Sequence, residues 1–282
     1  MKIKDILNKK SPSISFEVFP PKSDSSFENV REATEKIASL SPSFMSVTYG
    51  AGGGTSKYTI EIAKNIKDRY GVPSIAHLTC VSSSRDTVSA RIADIRAAGI
   101  KNIMALRGDI PQGMENNPRD YLHAAELVRE LRMAGDFCIG GACYPEGHPE
   151  SPDLESDVRF LKEKVDCGLD FLTTQMFFDN SLYYAFLERA MRAGISIPVL
   201  PGIMPITSST QIDRVITLSG SFLPPDFLRM VERYGSDASS MRDAGVEYAK
   251  RQIEDLLRNG VGNVHVYTMN KPDVASEIME IL

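Results

Sequence analysis

The feature that most constrains the fold is a regular alternation of short apolar runs with longer amphipathic stretches. Apolar runs with a period of two residues predict strands, and stretches with a period near 3.6 residues predict helices. The predicted strands cover residues 13–19, 44–48, 74–79, 102–106, 138–143, 171–176, 197–201 and 263–268. Each strand and the helix after it take about 30 residues, the size of a βαβ unit.

The amphipathic stretches between these strands predict the helices. They span residues 26–40, 56–70, 85–98, 120–134, 154–167 and 180–193, with two more helices at 224–234 and 239–258. A glycine such as Gly71, Gly99 or Gly194 follows several of them, as in helix C-terminal caps. Strands joined by helices form a parallel sheet, and eight such units close naturally into a barrel. We therefore predict an α/β fold, a (β/α)8 TIM barrel that residues 1–282 form as a single domain.

Composition excludes several classes of protein. The chain has 282 residues, of which 42% are hydrophobic and 24% charged, so it can bury a large core without disulfides. A net charge of -5 argues against a surface for nucleic acid. The apolar segment at the N-terminus is too short for a signal peptide, and no run of about 18 apolar residues is present. We expect a cytoplasmic protein that binds neither nucleic acid nor a membrane.

The cysteines and histidines do not predict a metal site. Cys80, Cys138, Cys143 and Cys167 lack CxxC spacing, and each lies in an apolar stretch or beside a helix end. This pattern favours free structural thiols. The segment 144–150 contains a histidine between two glutamates, but no second histidine is nearby. We expect no bound metal.

Polar residues recur at the ends of the predicted strands, where the active site of such a barrel lies. Glu17, Thr48, His77, Asp109, Tyr144 and Gln175 lie at or just beyond the ends of the first six strands. An inert scaffold has no reason to place a hydrogen-bonding or ionisable group at each of these positions. The pattern indicates one shared site.

Glu17 is the leading candidate for a catalytic residue. It alternates with Ile14, Phe16 and Val18 on the first strand, so it points into the barrel if the apolar face meets the helices. We expect burial to raise the pKa of its carboxyl and make it a proton donor near neutral pH. The alternative is a structural glutamate paired with an arginine or lysine.

Other motifs also have two interpretations. The glycine-rich segment 49–56 matches neither the dinucleotide fingerprint nor the P-loop, and we interpret it as a tight loop whose backbone amides can still approach a ligand. Arg107 and Asp109 form either an ion pair or part of a ligand site. Phe177 and Phe178 are interpreted as core residues. Gln175, if buried, needs partners for its amide, which the edge of a heterocyclic substrate would provide.

Taken in order, these strand ends resemble the methylenetetrahydrofolate reductase family. The resemblance is carried by residues 15–21 (SFEVFPP), 47–51 (VTYGA), 77–80 (HLTC), 105–109 (ALRGD), 144–150 (YPEGHPE), 175–178 (QMFF), 201–205 (PGIMP) and 265–270 (HVYTMN). It spans nearly the whole chain. It implies an FAD-containing barrel in which NADH or NADPH reduces the flavin, leaves, and is replaced by methylenetetrahydrofolate.

The resemblance also implies roles for individual residues. Glu17 matches the general acid that protonates N10 of the folate, and Asp109 matches a catalytic carboxylate near the flavin that also binds the pterin. Gln175 and Lys271 match positions that bind substrate. Positions around FAD are matched by Thr48, Tyr49, His77, Arg107, Gly108, Asp109, Tyr121, Tyr144, His148, Asp157 and Lys164.

Departures from the family pattern concern ligand binding and the electron donor. Ser208 and Ser209 stand where several bacterial relatives place a phenylalanine that packs against ligand. Lys271 stands where arginine is common, and Phe160 and Glu163 replace polar or basic residues near FAD. The resemblance therefore leaves two electron sources open, reduced nicotinamide and an electron-delivering partner protein. By analogy with bacterial relatives we expect a homo-oligomer.

Two other functions compete with this one. The first is a flavin-free, pterin-binding barrel methyltransferase, which would lack the visible absorbance of FAD. The second is a non-catalytic subunit of an electron-transfer complex. The presence of both Glu17 and Asp109 argues against the second, since a scaffold needs neither a buried acid nor a pterin anchor.

Overall fold

Strands and helices alternate along the computed structural model, which describes residues 1–9, 11–21, 23–49, 56–110, 113 and 118–282. The strands are β1 (Ser13–Val18), β2 (Met45–Val47), β3 (Ser74–Thr79), β4 (Asn102–Leu106), β5 (Cys138–Cys143), β6 (Phe171–Thr174), β7 (Val199–Leu200), β8 (Gly202–Ile203) and β9 (Asn263–Tyr267). Residues 50–55 of the glycine-rich loop predicted at 49–56 lie outside the described residues.

The helices surround these strands. They are α1 (Ile3–Leu7), α2 (Phe27–Ser39), α3 (Ser56–Tyr70), α4 (Arg85–Ala97), α5 (Ala124–Ala134), α6 (Leu154–Asp166), α7 (Asn180–Arg192), α8 (Thr210–Ser219), α9 (Pro225–Tyr234), α10 (Ala238–Arg258) and α11 (Pro272–Met279), with a 3-10 turn at Asp24–Ser26. The sequence did not predict α1, α8 or α11. Within the described part of the chain, no helix is long and apolar enough to cross a membrane.

The strands close into a barrel through the seventh predicted strand. Their order is β7-β6-β5-β4-β3-β2-β1-β9-β8, and neighbours run parallel. The two ends of this order, β7 and β8, are one chain segment divided at Pro201, which has no N–H to donate to a sheet ladder. Because β7 pairs with β6 and β8 pairs with β9, this segment joins both edges. The predicted (β/α)8 barrel is confirmed, although the strand predicted at 197–201 is two short strands.

Side chains on β1 alternate between two environments. Ile14, Phe16 and Val18 belong to the core that packs the helices around the barrel. Ser15 and Glu17, at the intervening positions, therefore face the barrel interior. The predicted orientation of Glu17 is confirmed.

Helix α1 closes the N-terminal end of the barrel. Ile3, Ile6 and Leu7 pack against the inward side chains of that end, which are Phe44, Ile75, Met104, Cys138, Phe171 and Leu200. Asn102, the first residue of β4, accepts a hydrogen bond from Ile3 N at 3.0 Å and donates one to Ser74 O at 3.0 Å. With five residues, α1 is too short to show a helical period in the sequence.

The four cysteines are free, as predicted. Three of them, Cys80, Cys138 and Cys143, are buried in the packed interior. Burial raises the pKa of Cys80 to about 12 and that of Cys138 to about 11, so both remain protonated thiols near neutral pH. They contribute packing rather than reactivity.

The contact between α1 and the barrel predicts a large stability effect. Ile3 is fully buried, so Ile3→Ala removes apolar packing and is expected to lower the free energy of unfolding by about 2–5 kcal/mol. Urea unfolding measures this change. The control is Met133→Ala on the outside of α5, where the side chain is 82% exposed and the expected change is within about 0.5 kcal/mol. Equal effects of the two substitutions would show that α1 does not pack as described.

Candidate active site

A buried carboxylate lies in the barrel interior above the apolar layer. Glu17 is 8% exposed, and its Oε2 accepts a hydrogen bond from Ser46 Oγ at 3.2 Å. The same oxygen lies 3.4 Å from His77 Nε2 and 3.7 Å from His265 Nε2. Because β2, β3 and β9 each contribute one of these groups, the pairing of β1 with its neighbours in the sheet is what assembles the cluster.

The pKa of Glu17 is lowered, whereas we predicted that it would be raised. Burial alone raises the pKa of this carboxyl, but interactions with His265, His77 and the Ser46 hydroxyl outweigh burial. The prediction was wrong because the sequence does not show which side chains from other strands face Glu17. The alternative, a partner arginine or lysine, is also not what the described residues show.

His265 is held on both sides of its ring. Its Nδ1 lies 2.7 Å from Ser15 Oγ, and its Nε2 lies 3.1 Å from Ser46 Oγ. The parallel register explains this arrangement, since Ser15 is paired with His265 on β9 while Glu17 is paired with Ser46 on β2. Sequence reasoning gave no role to Ser15, Ser46 or His265.

Tyr267 completes the buried group. Its ring meets His265 edge-on at 5.7 Å, and its hydroxyl donates to Thr174 O at 2.5 Å. Burial raises the pKa of Tyr267 well above its ordinary value, so the hydroxyl stays protonated. Polar residues at alternating positions in 13–17 and 263–267 were the signal that could have identified this group.

Arg107 lies just beyond the end of β4 and is paired with a glutamate. Its guanidinium donates two hydrogen bonds to Glu150, at 2.6 and 2.7 Å, which raises the pKa of Arg107. The ion pair between Arg107 and Asp109 that we considered is therefore replaced by one with Glu150. Asp109 is exposed at the mouth of the barrel.

A second cation lies at the end of β5. Lys164 of α6 donates to Ala142 O at 2.6 Å, and burial lowers the pKa of its amino group. Asp157 is buried on the first turns of α6, where it accepts hydrogen bonds from His148 N at 3.1 Å and Ser151 Oγ at 2.8 Å. Asp157 thus orders the loop after β5.

Tyr144 and His148 form an aromatic pair in that loop. Their rings meet edge-on at 4.7 Å. Burial raises the pKa of Tyr144 to about 12 and lowers the pKa of His148, so both groups favour their neutral forms. A neutral aromatic pair beside two cations offers both stacking and hydrogen bonding to a ligand.

The residues at β4 and β5 fit a dinucleotide such as FAD. Arg107 and Lys164 place two cations at neighbouring strand ends, as two linked phosphates require. A bound phosphate would also offset the desolvation that lowers the pKa of Lys164. Gly108 has φ of 83° and its backbone packs closely against Thr79, since an added Cβ would lie 3.0 Å from Thr79 Cβ. The strand end therefore presents backbone rather than a side chain to its surroundings.

The structure does not bring Tyr121 to the site. Its side chain is fully buried, its hydroxyl donates to Glu130 at 2.6 Å, and Arg85 lies over its ring at 4.8 Å. These contacts leave no surface of the side chain for a cofactor. Tyr121 was predicted to contact the cofactor, and the structure instead gives it a packing role in the protein interior. Resemblance gave the position but not the direction of the ring.

The other predicted residues lie around the barrel mouth. Thr48 and Tyr49 follow β2 and are partly buried. Gln175 N donates to Cys143 O at 2.7 Å, and its side-chain Oε1 accepts from Met176 N at 3.0 Å. Phe177 and Phe178 are buried, which confirms their interpretation as core residues.

Comparison with known proteins decides the family. The family model for methylenetetrahydrofolate reductase matches residues 2–282. The chain belongs to this family. It is 36% identical to the 5,10-methylenetetrahydrofolate reductase of Pectobacterium carotovorum subsp. carotovorum over 270 residues. These residues are 96% of this chain and 90% of that protein. The reductase of Escherichia coli (strain K12) is 35% identical over the same shares.

More distant comparisons agree. The methylenetetrahydrofolate reductase (NADH) 1 of Arabidopsis thaliana is 32% identical over 283 residues, which are 95% of this chain and 48% of that protein. An uncharacterised protein from Clostridium thermocellum that binds two copies of 5-methyl-5,6,7,8-tetrahydrofolic acid superposes with a TM-score of 0.70 and 15% identity over all of both chains. That similarity shows the barrel fold alone. The chain is thus an enzyme of the methylenetetrahydrofolate reductase family.

The departures from the reductase family pattern lie on the surface of the mouth. Ser208 is partly buried, Ser209 is exposed, and Gln211 Oε1 accepts hydrogen bonds from Thr207 N at 2.8 Å and Ser208 N at 3.1 Å. Lys271 Nζ contacts Thr207 Oγ1, and burial lowers its pKa. These contacts join the loops that follow β8 and β9.

Phe160 and Glu163 are the departures on α6. Phe160 is 49% exposed, and the guanidinium of the adjacent Arg159 lies 5.2 Å from its ring centre. Glu163 is exposed on the same helix as Lys164. An exposed aromatic ring and an added negative charge thus lie on the helix that carries one of the two cations.

The lowered pKa of Glu17 predicts how stability depends on pH. Ionised Glu17 stabilises the folded state above its ordinary pKa of 4.5, and this contribution is lost as pH falls through the lowered pKa of the folded protein. We expect Glu17→Gln to lower the free energy of unfolding at pH 7 by about 1–3 kcal/mol. The difference from the parent should narrow below about pH 4.5 in urea unfolding series.

A control glutamate separates this effect from general acid unfolding. Glu247 lies on the exposed side of α10, so Glu247→Gln should leave the free energy of unfolding within about 0.5 kcal/mol of the parent at pH 7. If the difference in free energy of unfolding between Glu17→Gln and the parent stays constant with pH, the lowered pKa of Glu17 is contradicted.

Proposed function

We propose that this chain is an FAD-dependent enzyme that reduces 5,10-methylenetetrahydrofolate to 5-methyltetrahydrofolate. Membership of the reductase family supports the folate substrate. The observation that carries the chemistry is the buried Glu17, fixed by groups from β2, β3 and β9 beneath an open mouth. A carboxyl in this place can deliver a proton to a substrate that enters from the mouth.

In this proposal Glu17 is the general acid for N10 of the folate. Protonation of N10 opens the five-membered ring and leaves the methylene carbon ready for reduction. Glu17 is ionised in the free protein because its pKa is lowered, so it needs a proton when the substrate binds. A pterin in the mouth excludes water from the carboxyl, and this added desolvation favours the protonated form.

FAD, when bound, supplies the reducing equivalents that the methylene carbon accepts. We assign Arg107 and Lys164 to the binding of its phosphates, because they place two positive charges at neighbouring strand ends. The surrounding contacts are assigned to Thr48, Tyr49, His77, Gly108, Asp109, Tyr144, His148 and Asp157. The pair between Arg107 and Glu150 must rearrange or be shared when a phosphate binds, because a guanidinium has a limited number of N–H donors.

Three residues are assigned to the folate. Asp109 is an exposed acceptor at the mouth and suits the amino groups of the pterin, and its charge also influences the reduction potential of the flavin. Gln175 keeps its amide N–H groups for substrate, since its Oε1 already accepts from Met176 N. Lys271 places a cation where the carboxylates of the folate tail would reach.

The electron source is either reduced nicotinamide or a partner subunit. The name of the Arabidopsis relative specifies NADH. Against direct use of nicotinamide, Ser208 and Ser209 remove the aromatic ring that several bacterial relatives place against the ligand. An experiment is therefore needed to distinguish among NADH, NADPH and a protein as the electron donor.

Flavin bleaching tests the proposal directly. The purified protein should be yellow, and its visible absorbance should bleach when it is mixed anaerobically with methyltetrahydrofolate in a stopped-flow instrument. Parallel mixing with NADH and with NADPH identifies the donor. Bleaching by a nicotinamide as well as the folate indicates a self-sufficient reductase, whereas bleaching by the folate alone indicates a partner protein. A colourless protein that binds the folate without redox change would contradict the proposal.

Glu17→Gln tests the proton donor. The variant should keep the flavin spectrum and reduction by the donor, because neither step needs an acid at N10. Turnover of methylenetetrahydrofolate should fall by about 10²–10⁴-fold, the usual contribution of a general acid. The matched control is Glu146→Gln, at a half-buried carboxylate that accepts from Phe222 N, because the amide oxygen can keep this bond. Parent-like folate turnover by Glu17→Gln would rule out the acid role.

A further inference from the structure

We propose that Ser46 and His265, oriented by Ser15, form a proton relay that loads Glu17 from inside the barrel. This inference rests on the proposed function and identifies the residues that supply the proton of its acid. The relay is a continuous chain of buried groups: Ser15 Oγ to His265 Nδ1 at 2.7 Å, His265 Nε2 to Ser46 Oγ at 3.1 Å, and Ser46 Oγ to Glu17 Oε2 at 3.2 Å.

The hydroxyl of Ser15 sets which ring nitrogen of His265 carries hydrogen. Ser15 Oγ donates its single hydrogen to Val264 O at 3.1 Å. With that hydrogen on Val264 O, we assign Ser15 Oγ as the acceptor from His265 Nδ1 at 2.7 Å, so that Nδ1 carries hydrogen in both charge states of the ring. The other nitrogen, Nε2, is then the one that gains or loses a proton, and it faces Ser46.

Ser46 is required because the ring and the carboxylate do not touch. His265 Nε2 lies 3.7 Å from Glu17 Oε2, which is too far for a hydrogen bond. Ser46 Oγ lies between them and can accept from one neighbour while it donates to the other. Its hydroxyl thus passes a proton on without itself becoming charged.

The relay has two states that differ by one shift of hydrogen atoms. In the first, Glu17 is a carboxylate that accepts from Ser46, and Ser46 accepts from the N–H of a positively charged His265. In the second, the Ser46 hydrogen has moved to Glu17, the Nε2 hydrogen has moved to Ser46, and His265 is neutral. The total charge is unchanged. When protonated Glu17 gives its proton to N10 of the folate, the carboxylate and the neutral ring remain, and one proton from solvent restores the cluster.

The neighbouring groups support this direction of transfer. His77 on β3 faces the same oxygen at 3.4 Å but makes no hydrogen bond through Nε2 within the described residues, and burial lowers its pKa. Tyr267 on β9 keeps its proton, with its hydroxyl donated to Thr174 O. His265 is therefore the neighbour connected to Glu17 through a hydroxyl.

The pH dependence of folate reduction tests the relay. Enzyme reduced beforehand is mixed with methylenetetrahydrofolate, and flavin reoxidation is followed from pH 5 to 9. In His265→Asn and Ser46→Ala the rate at pH 7.5 should fall about 10-fold or more. Each of these variants disconnects His265 from Glu17, so the cluster loses its last transferable proton at lower pH than in the parent. The fall in reoxidation rate on the alkaline side of the pH profile should therefore shift to lower pH. Ser15→Ala should lower the rate by a smaller factor and shift the pH profile in the same direction.

Ser13→Ala is the matched control. Ser13 lies two residues before Ser15 on the same face of β1, but its hydroxyl donates to Asn263 Oδ1 at 2.6 Å and does not join the relay. This variant loses a buried hydroxyl outside the relay and should keep the parent rate and pH profile. Flavin spectrum and flavin reduction by the donor should be unchanged in all four variants.

A second measurement reads the relay without turnover. The chain has four histidines, so nitrogen-15 NMR of the imidazole rings gives four pairs of signals, and His265→Asn identifies the pair of interest. The His265 ring should keep hydrogen on Nδ1 at every pH in the parent and in Ser13→Ala. Ser15→Ala should allow the other tautomer to appear when the ring is neutral.

The outcomes separate this inference from the proposed function. If the parent does not reduce the folate at any pH, the proposed function fails. The NMR result alone then tests whether Nδ1 of His265 carries hydrogen. If the parent is active but Ser46→Ala and His265→Asn keep its pH profile, the relay is overturned. If His265→Asn loses its flavin or unfolds, Ser46→Ala and Ser15→Ala decide, because each removes only a hydroxyl.

Discussion

The rest of the site depends on how the barrel stabilises one buried negative charge. An isolated carboxylate in an apolar interior costs several kcal/mol, so Glu17 would be protonated or excluded without partners. Ser46, His77 and His265 supply those partners from three strands that lie beside β1 in the sheet, β2 and β3 on one side and β9 on the other. The fold and the acid are therefore coupled, because the pairing of these neighbouring strands provides the groups that set the protonation of Glu17.

This charge divides the barrel interior into two functional layers. The N-terminal layer is apolar and closed by α1, with Ile3 packed among large side chains such as Phe44 and Phe171. The C-terminal layer contains the polar cluster and opens to the mouth. This division follows the usual separation in such barrels, in which one end contributes stability and the other carries chemistry. A change in α1 should thus act on folding, whereas a change at Ser46 should act on the acid.

The sequence predicted the elements and the inward direction of Glu17 because both follow from local periodicity. It did not predict the lowered pKa of Glu17, because the partners on β2, β3 and β9 are set by strand register, which a single strand does not reveal. Helix α1 was too short to show a period, and Pro201 interrupted a strand without ending its path. Tyr121 was misplaced for a related reason, since resemblance at a position does not give the contacts of its side chain.

The two layers also determine where protons can enter. The ring of His265 stacks at 5.7 Å on Phe44, which belongs to the apolar layer. That layer packs α1 against apolar side chains. In the proposed relay, protons exchange through the mouth, the opening that we assign to the substrate. In this proposal, a pterin bound there isolates the cluster from solvent, so the cluster holds a single transferable proton for each reaction. In the proposed relay, Ser46 and His265 thus both stabilise Glu17 as an ion and supply it with a proton.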